Sequence, residues 1–504
     1  MSTRAPRRGQ GGYFRTKSVE QSIRDTEEPD HALNKSLSAL DLTVFGVGVV
    51  IGTGIFVLTG QIARDTAGPS VALAFLVSGL VCALAALCYA EFASTVPVAG
   101  SAYTFSYASL GELPAWIIGW DLMLELALGC AVVAVGWSGY VRSLMDNVGW
   151  HLPDWLSGAG QADGFGFDLF AFVLVGLVTV VLVAGMKLSA RVTTLVVAIK
   201  LGVVLLVIVA GAFLVEADNY RPFIPPAQGT SDQGSGLAAP LIQVMFGYEP
   251  TTFGVQGVFT AAAVVFFAYI GFDIVATAAE ETRDPQRDVP RGLLGSLAIC
   301  TLLYVAVSLV VTGMRKYTEL TADAPLADAF KASGHPFYSG LISFGAAVGL
   351  TTVCLILLLG QTRVFFAMSR DGLLPRAFSQ VHPRFGTPYR STVLLGAVVA
   401  VIAGFTSLAE LAELVNIGTL FAFVVVAVGV VILRRTRPDL PRGFRAPLVP
   451  ALPVASVLAS LWLMLNLPTE TWLRFAAWMA LGCVIYVVYG RSHSRMSAPT
   501  RPGE

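Results

Sequence analysis

The chain has 504 residues, of which 55% are hydrophobic and only 13% are charged, with a mean hydropathy of +0.70. An ordinary soluble domain carries about 25% charged residues, so this composition excludes a soluble globular protein. The apolar blocks are about 20 residues long, which predicts an all-α polytopic membrane protein in a lipid bilayer. Lys and Arg total 33, as do Asp and Glu, so net charge indicates no nucleic-acid partner.

The apolar blocks and the short polar loops between them predict twelve transmembrane helices. We place these spans near residues 41–62, 70–94, 114–141, 169–186, 192–215, 257–279, 293–313, 338–366, 392–407, 412–433, 450–467 and 473–489. We interpret residues 1–36 as a disordered cytoplasmic tail, residues 37–490 as a single transmembrane domain, and residues 491–504 as a second cytoplasmic tail.

Basic residues are distributed unequally between the two sides of this arrangement. Of the 33, 25 lie in the tails, loops or span ends on the side of the N-terminus, seven lie in the opposite loops or span ends, and Lys200 alone lies deep within a span. Cytoplasmic loops carry an excess of Lys and Arg. We therefore expect a multi-pass protein of the plasma membrane with both termini in the cytoplasm.

The sequence gives little support to catalysis or to a metal site. The six cysteines lie inside apolar blocks without a C-x-x-C pair, and the five histidines lie in tails or loops. The sequence also lacks the G-x-x-x-x-G-K-[ST], H-E-x-x-H and G-x-S-x-G motifs. We therefore expect no enzyme activity, no catalytic residues, no metal and no cofactor, and no ATP-driven transport by this chain.

The first and sixth spans differ from plain lipid-facing helices. The first contains GVGVVIGTGIFVLTG, and the sixth contains FFAYIGFDIVATAAEE with a glycine and an acid near its middle. Both sequences favour a break, which frees backbone groups that a polar ligand in a protein-lined cavity can satisfy. The two spans correspond in position if spans 1–5 (about 38–216) and 6–10 (about 256–434) form an inverted repeat, followed by two extra helices at about 450–490.

The two breaks together predict a site for a zwitterion. A half-helix N-terminus favours an anion such as a carboxylate, and freed carbonyls accept from an ammonium group. The N–H groups would come from Gly52, Thr53 and Gly54, and the carbonyls from Phe267, Ala268 and Ile270. The alternative is that the glycines only allow close helix packing.

Ionisable residues within the predicted spans are candidates for coupling or structure. Lys200 is either a proton carrier or a lysine that snorkels to the interface. Glu125 either lines the substrate pocket or partners Lys200, and Asp121, four residues earlier on the same helix face, fixes helix packing equally well. For four further acids we favour a structural or gating role: Glu91, Asp273, Glu410 and Glu413. The mixed charges of residues 280–291 either pair with Arg363 or Arg370 or form a solvated loop.

Several long motifs occur in an order and spacing that resemble the amino acid–polyamine–organocation superfamily, and within it the bacterial relatives of the cationic amino acid transporters. They are Leu40-Asp41 through GVGVVIGTGIF, YAEFASTVPVAGSAYTF, the Lys200 helix, FFAYIGFDIVATAAEETRDPQRDVPRG and GQTRVFFAMSRDGLLP. The resemblance spans roughly residues 35–490. It implies two inverted five-helix repeats plus two C-terminal helices, with substrate held between the broken first and sixth helices.

The resemblance also implies roles for individual residues. The carboxylate would meet Gly52, Thr53 and Gly54, and the amino group would meet the carbonyls of Val50, Phe267, Ala268 and Ile270. Lys200 matches a lysine of proton-coupled members that occupies the sodium position of sodium-coupled relatives. Leu357 aligns with the side-chain pocket, where an apolar residue favours neutral substrates, whereas Glu125 would favour a cationic side chain.

We therefore expect a secondary active permease that takes up broad or neutral L-amino acids with protons by alternating access. The alternative is a uniporter or exchanger of arginine, lysine or ornithine. A channel and a transporter-like sensor that binds without transport remain open as other classes. The expected partners are an amino acid, protons and the lipid bilayer, with a small accessory membrane protein as a further candidate; the sequence leaves the oligomeric state open.

Overall fold

The computed structural model describes residues 37–95, 101–147, 149–150, 153–158, 166–185, 190–229, 236–247, 251–277, 279 and 282–494. The predicted N-terminal tail (1–36) and residues 495–504 of the predicted C-terminal tail therefore lie outside the described residues. The chain is built almost entirely of helices in these ranges. Its one described sheet is a short antiparallel pair, β1 (Gln228–Gly229) with β2 (Thr251–Thr252).

The first half of the chain contains the first break. Its helices are α1 (Ala39–Val50), α2 (Thr59–Ile62), α3 (Val71–Thr95), α4 (Ser101–Ser109), α5 (Glu112–Asn147), α6 (Leu169–Val183) and α7 (Ala190–Ala212). Ser38 and Asp41 form a capping box that starts α1: the Ser38 side chain accepts from the Asp41 backbone N–H, and the Asp41 carboxylate accepts from the Ser38 N–H at 2.9 Å.

The second half contains the second break and the remaining helices. These are α8 (Leu241–Phe246), α9 (Gly254–Val265), α10 (Ile274–Thr277), α11 (Pro285–Met314), α12 (Pro325–Ala332), α13 (Pro336–Arg370), α14 (Tyr389–Phe405), α15 (Leu408–Thr436), α16 (Ala451–Leu465), α17 (Thr469–Ile485) and α18 (Arg491–His493). Proline occupies the first turn of α11, α12 and α13, where its missing N–H removes no intrahelical bond.

Eight helical stretches of the described chain are long and apolar enough to cross a membrane. The longest runs from Gly54 to Thr95 and includes a sharp turn at Gly68, whose φ of +61° favours glycine. Four further apolar helices, α1, α6, α14 and α16, are shorter, at 10–17 residues. A polytopic helical membrane protein is therefore confirmed, while the count of twelve spans and the inverted repeat stay predictions.

The helices that surround the breaks come from distant parts of the chain. The long helices α5 and α13 pack against each other, and α11 packs against both α1 and α3. The short helix α12 packs against α13, α2 and α5. A Cβ atom on Gly60, in α2, would overlap Pro325 of α12, and one on Gly139, in α5, would lie 2.7 Å from the Asp323 carbonyl oxygen. Small residues thus let α12 and the loop before it approach both helices closely.

Candidate functional site

The first break lies where the sequence predicts it. Helix α1 ends at Val50, and the backbone of Ile51 is extended (φ −69°, ψ 97°). Helical structure resumes with a π-helical turn over Gly54–Leu58. The first N–H groups of a helix have no carbonyl four residues earlier to bond. Gly52, Thr53 and Gly54 occupy this position, so their N–H groups can bind an anion.

The second break has the same character. Helix α9 ends at Val265, the chain tightens into a 3₁₀ turn over Phe266–Tyr269, and Ile270 is extended (φ −60°, ψ 137°). Gly271 then has φ +102°, and a Cβ atom there would lie 2.6 Å from Val49 of α1. Glycine is therefore required at position 271 for two reasons: the positive φ of its backbone and the close contact with α1.

The two breaks touch each other. A Cβ atom on Gly54 would overlap the Cα and Cβ atoms of Ala268 and lie 3.1 Å from its backbone nitrogen. The Tyr304 hydroxyl, on α11, lies 2.7 Å from the carbonyl oxygen of Val50 and 2.6 Å from that of Ala268. A hydroxyl has one proton and can donate to only one of them at a time. Carbonyls from both breaks therefore converge on one buried point with more acceptors than donors.

Tyr304 is a residue that the sequence reasoning did not single out. It lies in the apolar stretch of α11 and is completely buried, with its ring 5.2 Å from that of Tyr269 and 5.3 Å from that of Phe75. A buried tyrosine hydroxyl needs a hydrogen-bond partner, so a tyrosine within an apolar span was a signal in the sequence for such a contact. Its partners, however, lie in α1 and in the 3₁₀ turn after α9.

Lys200 points into the protein and does not snorkel to an interface. Only 1% of the residue is exposed, and Nζ donates to the carbonyl oxygens of Gly48 at 2.7 Å and Ile51 at 3.4 Å. Its aliphatic stem packs against Gly349 of α13. Among the described residues no carboxylate lies within ion-pair distance of Nζ, so the predicted alternative of a Glu125 partner is wrong for this conformation. The lysine instead ties α7 to the end of α1.

The first break lies against α13 at Val353 and against α5 at Gly136. Thr53 is completely buried, and within the described part of the chain its hydroxyl oxygen has no hydrogen-bond partner. A Cβ atom on Gly52 would lie 3.7 Å from Val353, and one on Gly129 would lie 3.6 Å from Leu357. The predicted pocket residue Leu357 therefore lies on the apolar face of α13 that meets α5, and its place in a substrate pocket stays a prediction.

The predicted acidic residue Glu125 lies on α5, four residues before Gly129, which faces Leu357. It is 3% exposed and has Asp121 and Asp273 as its electrostatic neighbours. Asp121 packs against Gly418, and neither of its oxygens has a hydrogen-bond partner among the described residues. Glu125 and Asp121 thus place buried acceptors side by side on α5, where they can hold a proton or receive a cationic group.

The other acids that we singled out lie away from the breaks. Glu91 is buried and pairs with Arg434 through two bonds of 2.6 and 2.8 Å, which fits the structural role that we favoured. Glu413 accepts from Thr471 at 3.1 Å, and Glu410 lies 3.9 Å from Arg474. In the stretch 280–291, Glu280 and Glu281 lie outside the described residues, so the predicted pairing with Arg363 or Arg370 stays a prediction.

Taken together, membrane-length helices around two facing breaks are the architecture of a helical membrane transporter. Comparison with known families agrees: the model of a family described as amino acid permease matches residues 37–489. The chain belongs to this family, within the amino acid–polyamine–organocation superfamily. The predicted resemblance is confirmed, and the chain is an amino acid permease and not an enzyme.

Curated relatives cover nearly the whole chain. The chain is 46% identical over 491 residues to the branched-chain amino acid permease BcaP of Bacillus subtilis, covering 97% of this chain and 99% of that protein. It is 45% identical over 485 residues to the methylthioribose transporter of the same bacterium, with 96% and 99% coverage. Cationic amino acid transporter 4 of Arabidopsis thaliana, a vacuolar protein, is 32% identical, with 96% of each chain covered.

Proposed function

We propose that this permease is a secondary active transporter that takes up neutral L-amino acids together with protons by alternating access. The observation that carries the proposal is the convergence of the Val50 and Ala268 carbonyls on one hydroxyl, 2.7 and 2.6 Å away. A primary ammonium group has three donors and suits such a cluster of acceptors better than one hydroxyl proton does. The N–H groups that begin at Gly52 would bind the carboxylate.

The apolar face of α13 supports a neutral side chain as the preferred one. On α13, Leu357 faces α5 at Gly129 and Val353 faces the first break at Gly52, and both side chains are apolar. Burying such a surface against a branched aliphatic side chain is favourable by about 25 cal/mol per Å². The relative named as a branched-chain amino acid permease agrees with this preference.

A cationic substrate is the second candidate, and Glu125 is the observation that favours it. The carboxyl group is buried beside two further acids, and no basic side chain among the described residues forms an ion pair with it. Lysine, ornithine or arginine would place a positive charge there, which repays desolvation of the acids. The relative named as a cationic amino acid transporter fits this reading.

Lys200 is the residue to which we assign proton coupling. Its ammonium group donates to two carbonyls at the end of α1, next to the proposed carboxylate site. A charged donor makes a stronger hydrogen bond than a neutral one, so the proton on Lys200 favours the conformation in which α7 holds α1. A proton gradient can drive uptake only through such a difference between two conformations.

The membrane arrangement that we propose has twelve spans, a five-plus-five inverted repeat, and both termini on the cytoplasmic side of the plasma membrane. The distribution of 25 basic residues on the side of the N-terminus and seven opposite supports it. The domain boundaries given above, one transporter domain over 37–490 between two tails, belong to the same proposal.

The test is uptake of labelled L-valine, L-alanine, L-arginine and methylthioribose into proteoliposomes, with and without an inward proton gradient. We expect L-valine to accumulate above equilibrium only with the gradient. Lys200→Met should abolish this accumulation, whereas Lys331→Met, which removes an exposed lysine outside the predicted spans, should leave it unchanged. Unchanged gradient-driven uptake by Lys200→Met would remove the coupling role, and uptake of L-arginine alone would select the second candidate.

A further inference from the structure

Side chains of other helices donate hydrogen bonds to backbone carbonyls at the carboxyl end of α9. Asn416, on α15, donates through Nδ2 to the carbonyl oxygens of Ala263 at 2.8 Å and Val264 at 2.9 Å. Ser78, on α3, donates to the carbonyl oxygen of Ala262 at 2.7 Å. Three consecutive carbonyls in the last turn before the second break therefore receive donors from α3 and α15.

The break removes the regular helical donors of the Ala263 and Val264 carbonyls, while the Phe266 N–H still reaches the carbonyls of Ala262 and Val264. In a continuous α-helix the Ala263 and Val264 carbonyls would accept from the N–H groups of Phe267 and Ala268. Those two residues instead belong to the 3₁₀ turn Phe266–Tyr269, whose bonds reach three residues back with poorer geometry. Carbonyls at a helix end need another partner when they are buried. The two N–H bonds of the Asn416 amide match two adjacent carbonyls.

Packing alone does not explain an asparagine at this position. Asn416 is completely buried, and its Oδ1 has no hydrogen-bond partner among the described residues. A buried polar atom without a partner is costly, so an apolar residue would pack better. The orientation of the amide is fixed by its neighbours, because only the NH₂ end can face two carbonyl oxygens. What the asparagine contributes is its pair of donors.

We propose that Asn416 is a positioning residue for the amino group of the substrate, an inference that rests on the proposed function of the two breaks. The Val264 carbonyl lies only four residues before Ala268, whose own carbonyl reaches Tyr304 and whose backbone touches Gly54. Little chain remains between the two points to absorb a shift. Asn416 therefore fixes where the Phe267 and Ala268 carbonyls lie.

The experiment compares Asn416→Asp with Asn466→Asp in the purified full-length protein, using labelled L-valine as the probe. Aspartate has the shape of asparagine, but as a carboxylate it donates no hydrogen bond. Asn466 is a matched control, because it is also buried and its amide donates at 2.8 Å to Trp462 within its own helical segment. We expect Asn416→Asp to weaken L-valine binding by about tenfold or more, and Asn466→Asp to change it less than about twofold.

Asn416→Leu, which removes the donors without adding a charge, keeps the test valid if the aspartate variant does not fold. It should raise the Michaelis constant for L-valine while uptake at saturating substrate remains. A purely structural role predicts the reverse, a lower maximal rate with an unchanged Michaelis constant, and that result in a folded variant would overturn the inference. Failure of the proposed function would be visible in the wild-type protein as absence of saturable uptake.

Discussion

Replacing Gly54 by alanine tests whether the contact between the two breaks forms the binding site. The added methyl group would overlap the Cα and Cβ atoms of Ala268. No side-chain rotation can move these two atoms, so the overlap cannot be relieved without a backbone shift. The turn at Phe266–Tyr269 must therefore move away from the first break, which carries its carbonyls away from the N–H groups at Gly52. Overpacking of this kind costs about 1–3 kcal/mol.

If that cost appears in substrate binding, the dissociation constant for L-valine rises about 5- to 150-fold. The assay is equilibrium binding of labelled L-valine to purified protein, with the unfolding temperature measured in parallel. Gly202→Ala is the matched control, because Gly202 lies on α7 and a Cβ atom there has no neighbour within 4 Å. A Gly54→Ala protein that folds and binds L-valine with wild-type affinity would refute the backbone site.

Three further perturbations follow from the same contacts. Gly349→Ala places a methyl group 2.8 Å from Cγ and 3.0 Å from Cε of Lys200, so it should displace the ammonium group and reduce gradient-driven accumulation while equilibrative exchange, measured by counterflow, persists. Tyr304→Phe leaves the Val50 and Ala268 carbonyls without their donor, which costs about 1–3 kcal/mol, and differential scanning fluorimetry should show a lower unfolding temperature without ligand. Glu91→Gln removes the carboxylate that binds Arg434, Arg442 and the Ala446 N–H, and breaking this cluster should destabilise the protein by about 3 kcal/mol. Partial recovery in the Glu91→Gln/Arg442→Leu double variant would identify the more buried, uncompensated arginine as the cause.

The positions of the two breaks could be predicted from the sequence because their causes are local. Glycine is needed at Gly271 for a φ of +102°, and the run from Gly46 to Gly54 interrupts an otherwise apolar helix. A polar interruption within a membrane span requires partners wherever it occurs. The sequence therefore marked both breaks, and the structure brings them into contact at Gly54 and Ala268.

The partners of the breaks could not be predicted, because they come from helices far away in the chain. The hydroxyl of Tyr304 and the amide of Asn416 each lie in a mainly apolar stretch of their helix, and their acceptors are backbone atoms that carry no sequence signal. The direction in which the Lys200 side chain points could not be predicted either. Burial and snorkelling are equally compatible with its position along α7, and only the packing against Gly349 decides between them.

The contacts around α1 also limit how strongly one proton can act. Lys200 donates hydrogen bonds to the Gly48 and Ile51 carbonyls, and Tyr304 donates to the Val50 carbonyl between them. Side chains of two helices, α7 and α11, therefore bind the same short segment. Replacing a charged donor by a neutral one weakens a hydrogen bond by about 1–2 kcal/mol, which shifts an equilibrium about 5- to 30-fold.

A complete reversal of a two-state equilibrium, from 1:99 to 99:1, needs about 5.5 kcal/mol. If Lys200 is the coupling residue, its proton alone therefore biases the permease without switching it, and substrate binding between the breaks must supply the remainder. Because Lys200 and the proposed substrate both bind the end of α1, each then changes the affinity for the other by the same factor. Such reciprocal dependence is what makes the gradient of one solute drive the movement of the other.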